Sequence, residues 1–141
     1  MQPFTVEFTD TAARGYLRLH TQAQKHLEAG QVEHPAVITF NAVRDAINGT
    51  LAVNPCDPSR AFAGAMSKTF YKLGLGNITI SYMASDARRA VLIMTIGEAV
   101  KNPGFRTWLT CAIANGECDE LLEKLGIEKP LLKVLDSGLL H

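Results

Sequence analysis

Six cations fall between positions 68 and 106: Lys68, Lys72, Arg88, Arg89, Lys101 and Arg106. They face two carboxylates, Asp86 and Glu98, so this segment carries a net +4. The whole chain balances 14 basic against 14 acidic side chains, with residues 1–67 at −1 and residues 107–141 at −3. Positive charge gathered in one stretch of a neutral chain suits a phosphate-bearing polyanion, because clustered ammonium and guanidinium groups raise the local anion concentration. The ordinary alternative is solvated charge on strand ends. Positions 68, 70 and 72 share one face of a predicted strand, so Lys68 and Lys72 can hold phosphates together.

Other side chains capable of chemistry read as structural. Tyr71 and Tyr82 fall on apolar strand faces and are expected to pack in the core. His20, His26 and His34 occur singly, without metal-ligand spacing, so surface or capping roles are expected and no metal is. Cys111 and Cys118 are not spaced as a zinc pair, and Cys56 has no neighbouring base in sequence, so the thiols read as structural or incidental. Gly74-Leu75-Gly76 precedes no helix, which makes it a turn rather than a nucleotide-binding loop.

The elements that position these residues follow from periodicity. The chain has 141 residues, 47% of them hydrophobic, enough for one domain with its own core over residues 1–141. No apolar run reaches the roughly 20 residues of a spanning helix. The segment Met1–Asp10 has no basic region followed by an apolar one, and there are three cysteines. The expectation is therefore a cytoplasmic protein with reduced thiols and no signal peptide.

Phe4, Val6 and Phe8 alternate with polar residues and predict a strand over 4–8. Thr9 or Asp10 is set to cap a helix carrying Ala13, Tyr16, Leu17, Ala23 and Leu27, closed at Gly30. A second helix is expected from Pro35, with Val37, Ile38, Phe40, Ala42, Val43, Ile47 and Leu51 as its apolar stripe. Asn48-Gly49 can break it early, and Asn54-Pro55 ends it. Strands follow over 68–75 and 77–84, joined by a tight turn at Gly76-Asn77. A third, over 89–96, is apolar throughout, as a strand covered on both faces must be. A helix over Phe105–Ile113 and a short acidic one through Leu125 come next, and then an apolar tail from Pro130. The order predicts an α+β fold: a small, four-stranded, mainly antiparallel sheet with two N-terminal helices on one face and one or two C-terminal helices.

Several phrases in this order resemble the RelE/ParE toxin superfamily of bacterial toxin–antitoxin modules. They are the helix end from Ile47 to Asn54-Pro55, Phe70-Tyr71-Lys72-Leu73 with its glycine turn, Ile78-Thr79-Ile80-Ser81-Tyr82, and the Asp86 turn before Val91–Ile96. The longer YhaV-type branch is the most similar, through Gly74-Leu75-Gly76 and Gly104-Phe105-Arg106-Thr107-Trp108-Leu109. The resemblance spans roughly residues 4–125.

It implies a toxin held in check by a cognate antitoxin, with no cofactor and no membrane association. Many such toxins cut mRNA on the ribosome. That reaction needs help for the RNA 2′-hydroxyl as it attacks the adjacent phosphate, cations for the developing oxyanion and an acid for the leaving oxygen. Carried over by position, Lys72 is the catalytic cation. Lys101 and Arg106 flank the loop after the last strand as further catalytic charges, and Lys68, Arg88 and Arg89 are RNA-binding. The chain departs from the pattern on the strand after the glycine turn, where Asn77, Thr79 and Met83 stand at positions that are arginine-rich in the YhaV-type branch. The resemblance also includes members that act on DNA gyrase without cutting RNA, so the alternative is a non-catalytic relative that inhibits by target binding, or a degenerate module kept for partner binding.

Overall fold

In the structure, a computed structural model that describes residues 3–61, 70–98, 116 and 119–126, four strands form one mixed sheet. β1 (Thr5–Phe8), β2 (Phe70–Leu75), β3 (Ile78–Ser85) and β4 (Ala90–Glu98) lie in the order β1-β4-β3-β2. β2, β3 and β4 form an antiparallel meander, and β1 returns to pair in parallel with β4. This is the α+β sheet expected from the sequence. Gly76 turns the β2–β3 hairpin at φ 66°, a backbone region that side chains with a Cβ rarely enter. Lys68, Lys101, Arg106, Cys111, Cys118, the Phe105–Ile113 helix and the tail from Pro130 lie outside the described residues.

Between β1 and β2 the chain forms α1 (Asp10–Glu28), α2 (Pro35–Asp45) and α3 (Leu51–Val53), with a π-helical turn at Ala46–Thr50 joining the last two. Asn48-Gly49 therefore does not end the second helix. It sits in a wider turn that lets the helix run on to Val53 before Asn54-Pro55 stops it. α1 and α2 cover one face of the sheet. Ala12, Leu19, Ala23, Val37, Phe40, Val43, Ile47 and Leu51 pack there against Ile80, Tyr82, Val91, Ile93 and Ile96. Each fully buried Leu, Ile, Val or Phe contributes about 1.5–3 kcal/mol.

The buried stripe of α1 runs through Ala12, Gly15, Leu19 and Ala23. Leu17 and Leu27, expected in that stripe, are exposed. The cause is Gly15. A Cβ at this position would lie 2.2 Å from the Ile96 carbonyl oxygen, so the missing side chain lets α1 rest directly on the β4 backbone and fixes the rotation of the helix. On α2, Ile38 likewise faces outward.

The opposite face of the sheet is covered over one half by α4 (Asp119–Leu125), whose Leu122 and Leu125 pack on Phe70, Met83, Ala90, Leu92 and Met94. Lys124 reaches Glu7 of β1 at 2.9 Å across the same face. β4 is thus covered on both sides, as its unbroken apolar run required.

Candidate functional site

Counting the register outward from the Gly76 turn leaves the other half of that second face without large apolar side chains. Lys72 of β2 pairs with Ser81 of β3, and Ser81 pairs with Thr95 of β4. The next row toward the turn is Gly74, Thr79 and Gly97. These six positions hold one cation, three hydroxyls and two glycines. Strand spacing makes each row about 10 Å long, and the two rows lie about 7 Å apart along the strands. Lys72 is exposed on the edge strand, and Ser81, in the middle of the row, is buried. An ammonium with nearby hydroxyl donors over glycine is a chemistry suited to phosphate oxygens.

A bulge keeps this surface in phase. Ser81 pairs with Thr95 but Tyr82 pairs with Ile93, so Met94 is an extra residue in β4. Without it, Thr95 and Gly97 would turn toward the helices. Thr9 holds the bulge: its Oγ1 donates to the Met94 carbonyl at 2.7 Å, and its backbone N–H donates to the Ile93 carbonyl at 3.0 Å. The same Oγ1 accepts from the Ala12 N–H at 3.1 Å, the N-cap of α1. Thr9→Val keeps the shape but loses both side-chain bonds and leaves a buried carbonyl unpaired. The expected loss is about 1–3 kcal/mol, read as a lower urea midpoint; an unchanged midpoint would contradict this role.

Arg88 and Arg89 sit elsewhere. They precede β4, whose Ala90 pairs with Ser85, about 13 Å along β3 from the Lys72 row. Arg89, at φ 52°, stacks its guanidinium over the Phe4 ring at 4.0 Å and meets Asp86 at 3.5 Å. Arg88 lies against Gly126 at the C-terminal end of α4, where a cation complements the helix dipole. Of the six cations singled out in the sequence, the described residues place Lys72 on the polar half-face and these two at the other end of the sheet.

The tyrosines belong to the helix-covered face. Tyr71 and Tyr82 stack at 5.5 Å. The Tyr82 hydroxyl donates to the Pro55 carbonyl at 2.6 Å and accepts from Arg60 Nε at 3.2 Å. Arg60 also donates to the Asn54 carbonyl, so the turn after α3 is tied down onto β3. Burial raises the pKa of both phenols and of the Cys56 thiol beside Tyr71, which keeps all three protonated and structural. His34 caps α2, its Nδ1 accepting from the Ala36 N–H at 3.1 Å, and His26 stacks on it at 3.5 Å. Among the described residues, no three His, Cys, Asp or Glu side chains gather as a metal site. No helix there is long and apolar enough to cross a membrane.

The sequence reading missed the hydroxyl row. Its signal was present: Thr79 and Ser81 alternate with Ile78, Ile80 and Tyr82, and pairing across the hairpin assigns them to the face of Lys72. Thr95 was hidden, because only the bulge brings it to that face.

No protein-family model matches the sequence, and no curated protein matches it. Among solved structures, the chain is similar to the RelBE2 toxin–antitoxin complex from Mycobacterium tuberculosis. That match has 23% identity and a TM-score of 0.48 over 70% of this chain and 94% of that one. It is also similar to the isolated E. coli RelE toxin, at 15% identity and a TM-score of 0.42 over 75% of this chain and 95% of that one.

Proposed function

We propose that this chain is the toxin of a bacterial type II toxin–antitoxin pair. On this reading it suppresses translation by cutting ribosome-bound mRNA on the polar half-face of its sheet, and a cognate antitoxin silences it. The observation that carries the reading is the Lys72–Ser81–Thr95 row, an exposed lysine in register with two hydroxyl positions and, among the described residues, beside the small Gly74–Thr79–Gly97 row. The phrases that resemble the RelE/ParE superfamily also occupy the elements that the resemblance requires: a helix end at Asn54-Pro55, a hairpin through Lys72, and the last strand after Asp86.

In this chemistry the RNA 2′-oxygen attacks the adjacent phosphorus and the bond to the 5′-oxygen breaks. The products are a 2′,3′-cyclic phosphate and a 5′-hydroxyl; one proton leaves the 2′-hydroxyl and one arrives on the leaving oxygen. Lys72 stabilises the charge that builds on the phosphoryl oxygens. Lys101 and Arg106, which follow β4 in sequence, add positive charge, and Lys68, which precedes β2 in sequence, binds RNA. Arg88 and Arg89, at the far end of the sheet, bind RNA outside the cleavage row.

One observation favours a second reading. The six positions of the polar half-face carry no phenol, imidazole or carboxylate to move a proton, and Tyr71 and Tyr82 point the other way. A toxin that only occupies its target, such as DNA gyrase, needs no such group.

Producing the protein alone in a bacterial host, while following growth and amino-acid incorporation, tests the toxin reading. Incorporation is expected to collapse within the first generations after induction. Undiminished growth and protein synthesis, with soluble protein confirmed, would contradict both versions.

A further inference from the structure

Gly97 lies on the polar half-face, paired with Thr79 and so on the same side as Lys72. A Cβ built on it would lie 3.7 Å from Nη2 of Arg18. Arg18 belongs to α1, which otherwise covers the opposite face. Its guanidinium reaches this side because β1 stops pairing with β4 at Phe8–Ile93, leaving the β4 edge beyond Ile93 clear of β1. Close seating of Gly15 on Ile96 brings the next turn of α1 to that edge. Among the described residues, no carboxylate forms an ion pair with Arg18, which is exposed.

We infer that Arg18 is a phosphate-binding residue of this site, its guanidinium reaching round the β4 edge from α1 to the side of Gly97 and Lys72. The inference rests on the RNA-directed reading above and deepens it by adding a second cation across the sheet face from Lys72. Gly97 is two strands and two residues from Lys72, which sets the pair about 12 Å apart at the backbone. Lys72 and the Arg18 guanidinium, which ends beside Gly97, would then bracket a single-stranded backbone passing over Gly74 and Thr79. A planar guanidinium holds two phosphate oxygens at once, so it fixes direction as well as adding charge.

The test is binding of a fluorescent single-stranded oligouridine to the full chain across a salt series, for the wild type, Arg18→Gln, Arg18→Lys and Arg44→Gln. Arg44 is exposed on α2 and lowers net charge equally. Arg18→Gln is expected to weaken binding by roughly tenfold and to flatten the slope of log K against log salt by about 0.7, the share of one phosphate contact on a single strand. Arg18→Lys is expected to restore the slope but only part of the affinity, and Arg44→Gln to match the wild type. If the wild type binds with a steep slope that Arg18→Gln leaves unchanged, the inference is wrong while the RNA-directed reading stands. If the wild type shows no salt-dependent RNA binding, that reading fails and the inference falls with it.

Discussion

Lys72→Ala is expected to lower RNA cleavage by about a hundredfold or more, the usual loss when one preorganised charge is removed from a developing oxyanion, and to relieve toxicity accordingly. The fold should survive, because Lys72 is exposed on edge strand β2 and surface substitutions of this kind stay within about 0.5 kcal/mol. Lys72→Arg keeps the charge and should retain part of the activity. Lys101→Ala and Arg106→Ala are each expected to cost less, since Lys72 alone stands at the position that the resemblance assigns to the cation. Activity is read as the rate of mRNA cutting in a translation mixture, and folding as the thermal midpoint. A folded Lys72→Ala protein that remains fully toxic would move the account to target occupancy. Leu139 and Leu140 of the apolar tail would then be the positions to mutate.

Gly15→Val is expected to be strongly destabilising. In an isolated helix, replacing glycine with a residue that has a side chain would help or be neutral. Here the first added carbon would meet the Ile96 carbonyl oxygen at 2.2 Å, and both partners are backbone. α1 must therefore lift from β4 by about 1 Å or more, opening the packing of Ala12, Leu19 and Ala23. The cost is about 3 kcal/mol or more, a large share of the 5–15 kcal/mol that holds a domain of this size. Gly15→Ala should show the same sign with a smaller shift. The denaturant midpoint checks both, and a Gly15→Val protein as stable as the wild type would show that α1 does not sit on β4 in this way. A lifted α1 also withdraws Arg18 from Gly97, so residual folded protein should bind RNA less well.

The legible part of the fold was what one element states by itself. The Gly76-Asn77 turn, the alternation of β3 and the unbroken apolar run of β4 each needed only local rules, and together they gave the antiparallel meander. The face of Lys72 followed from the same alternation, once Tyr71 and Leu73 were assigned to the core. What stayed hidden depended on two elements meeting. The rotation of α1 is set by Gly15 against Ile96, and glycine in a helical pattern reads in sequence only as a weak position. The phase of Thr95 and Gly97 is set by the Met94 bulge, held by Thr9 from 85 positions away. Arg18 belongs with the site only because α1 passes the free edge of β4, and nothing in its own segment points there. Asn48-Gly49 reads as a helix end by composition. It forms a π turn because Ala46, Ile47 and Leu51 on either side remain buried in the core.

If the Lys72 row cuts RNA, the cuts leave chemically distinct ends. The most direct measurement maps RNA 5′ ends across the transcripts of a bacterial host shortly after induction of the wild type and of Lys72→Ala at equal soluble levels. New 5′-hydroxyl ends within translated coding regions are expected for the wild type and should be nearly absent for Lys72→Ala. Arrested growth with no new 5′-hydroxyl ends, or the same ends at the same frequency in both strains, would contradict cutting by this row.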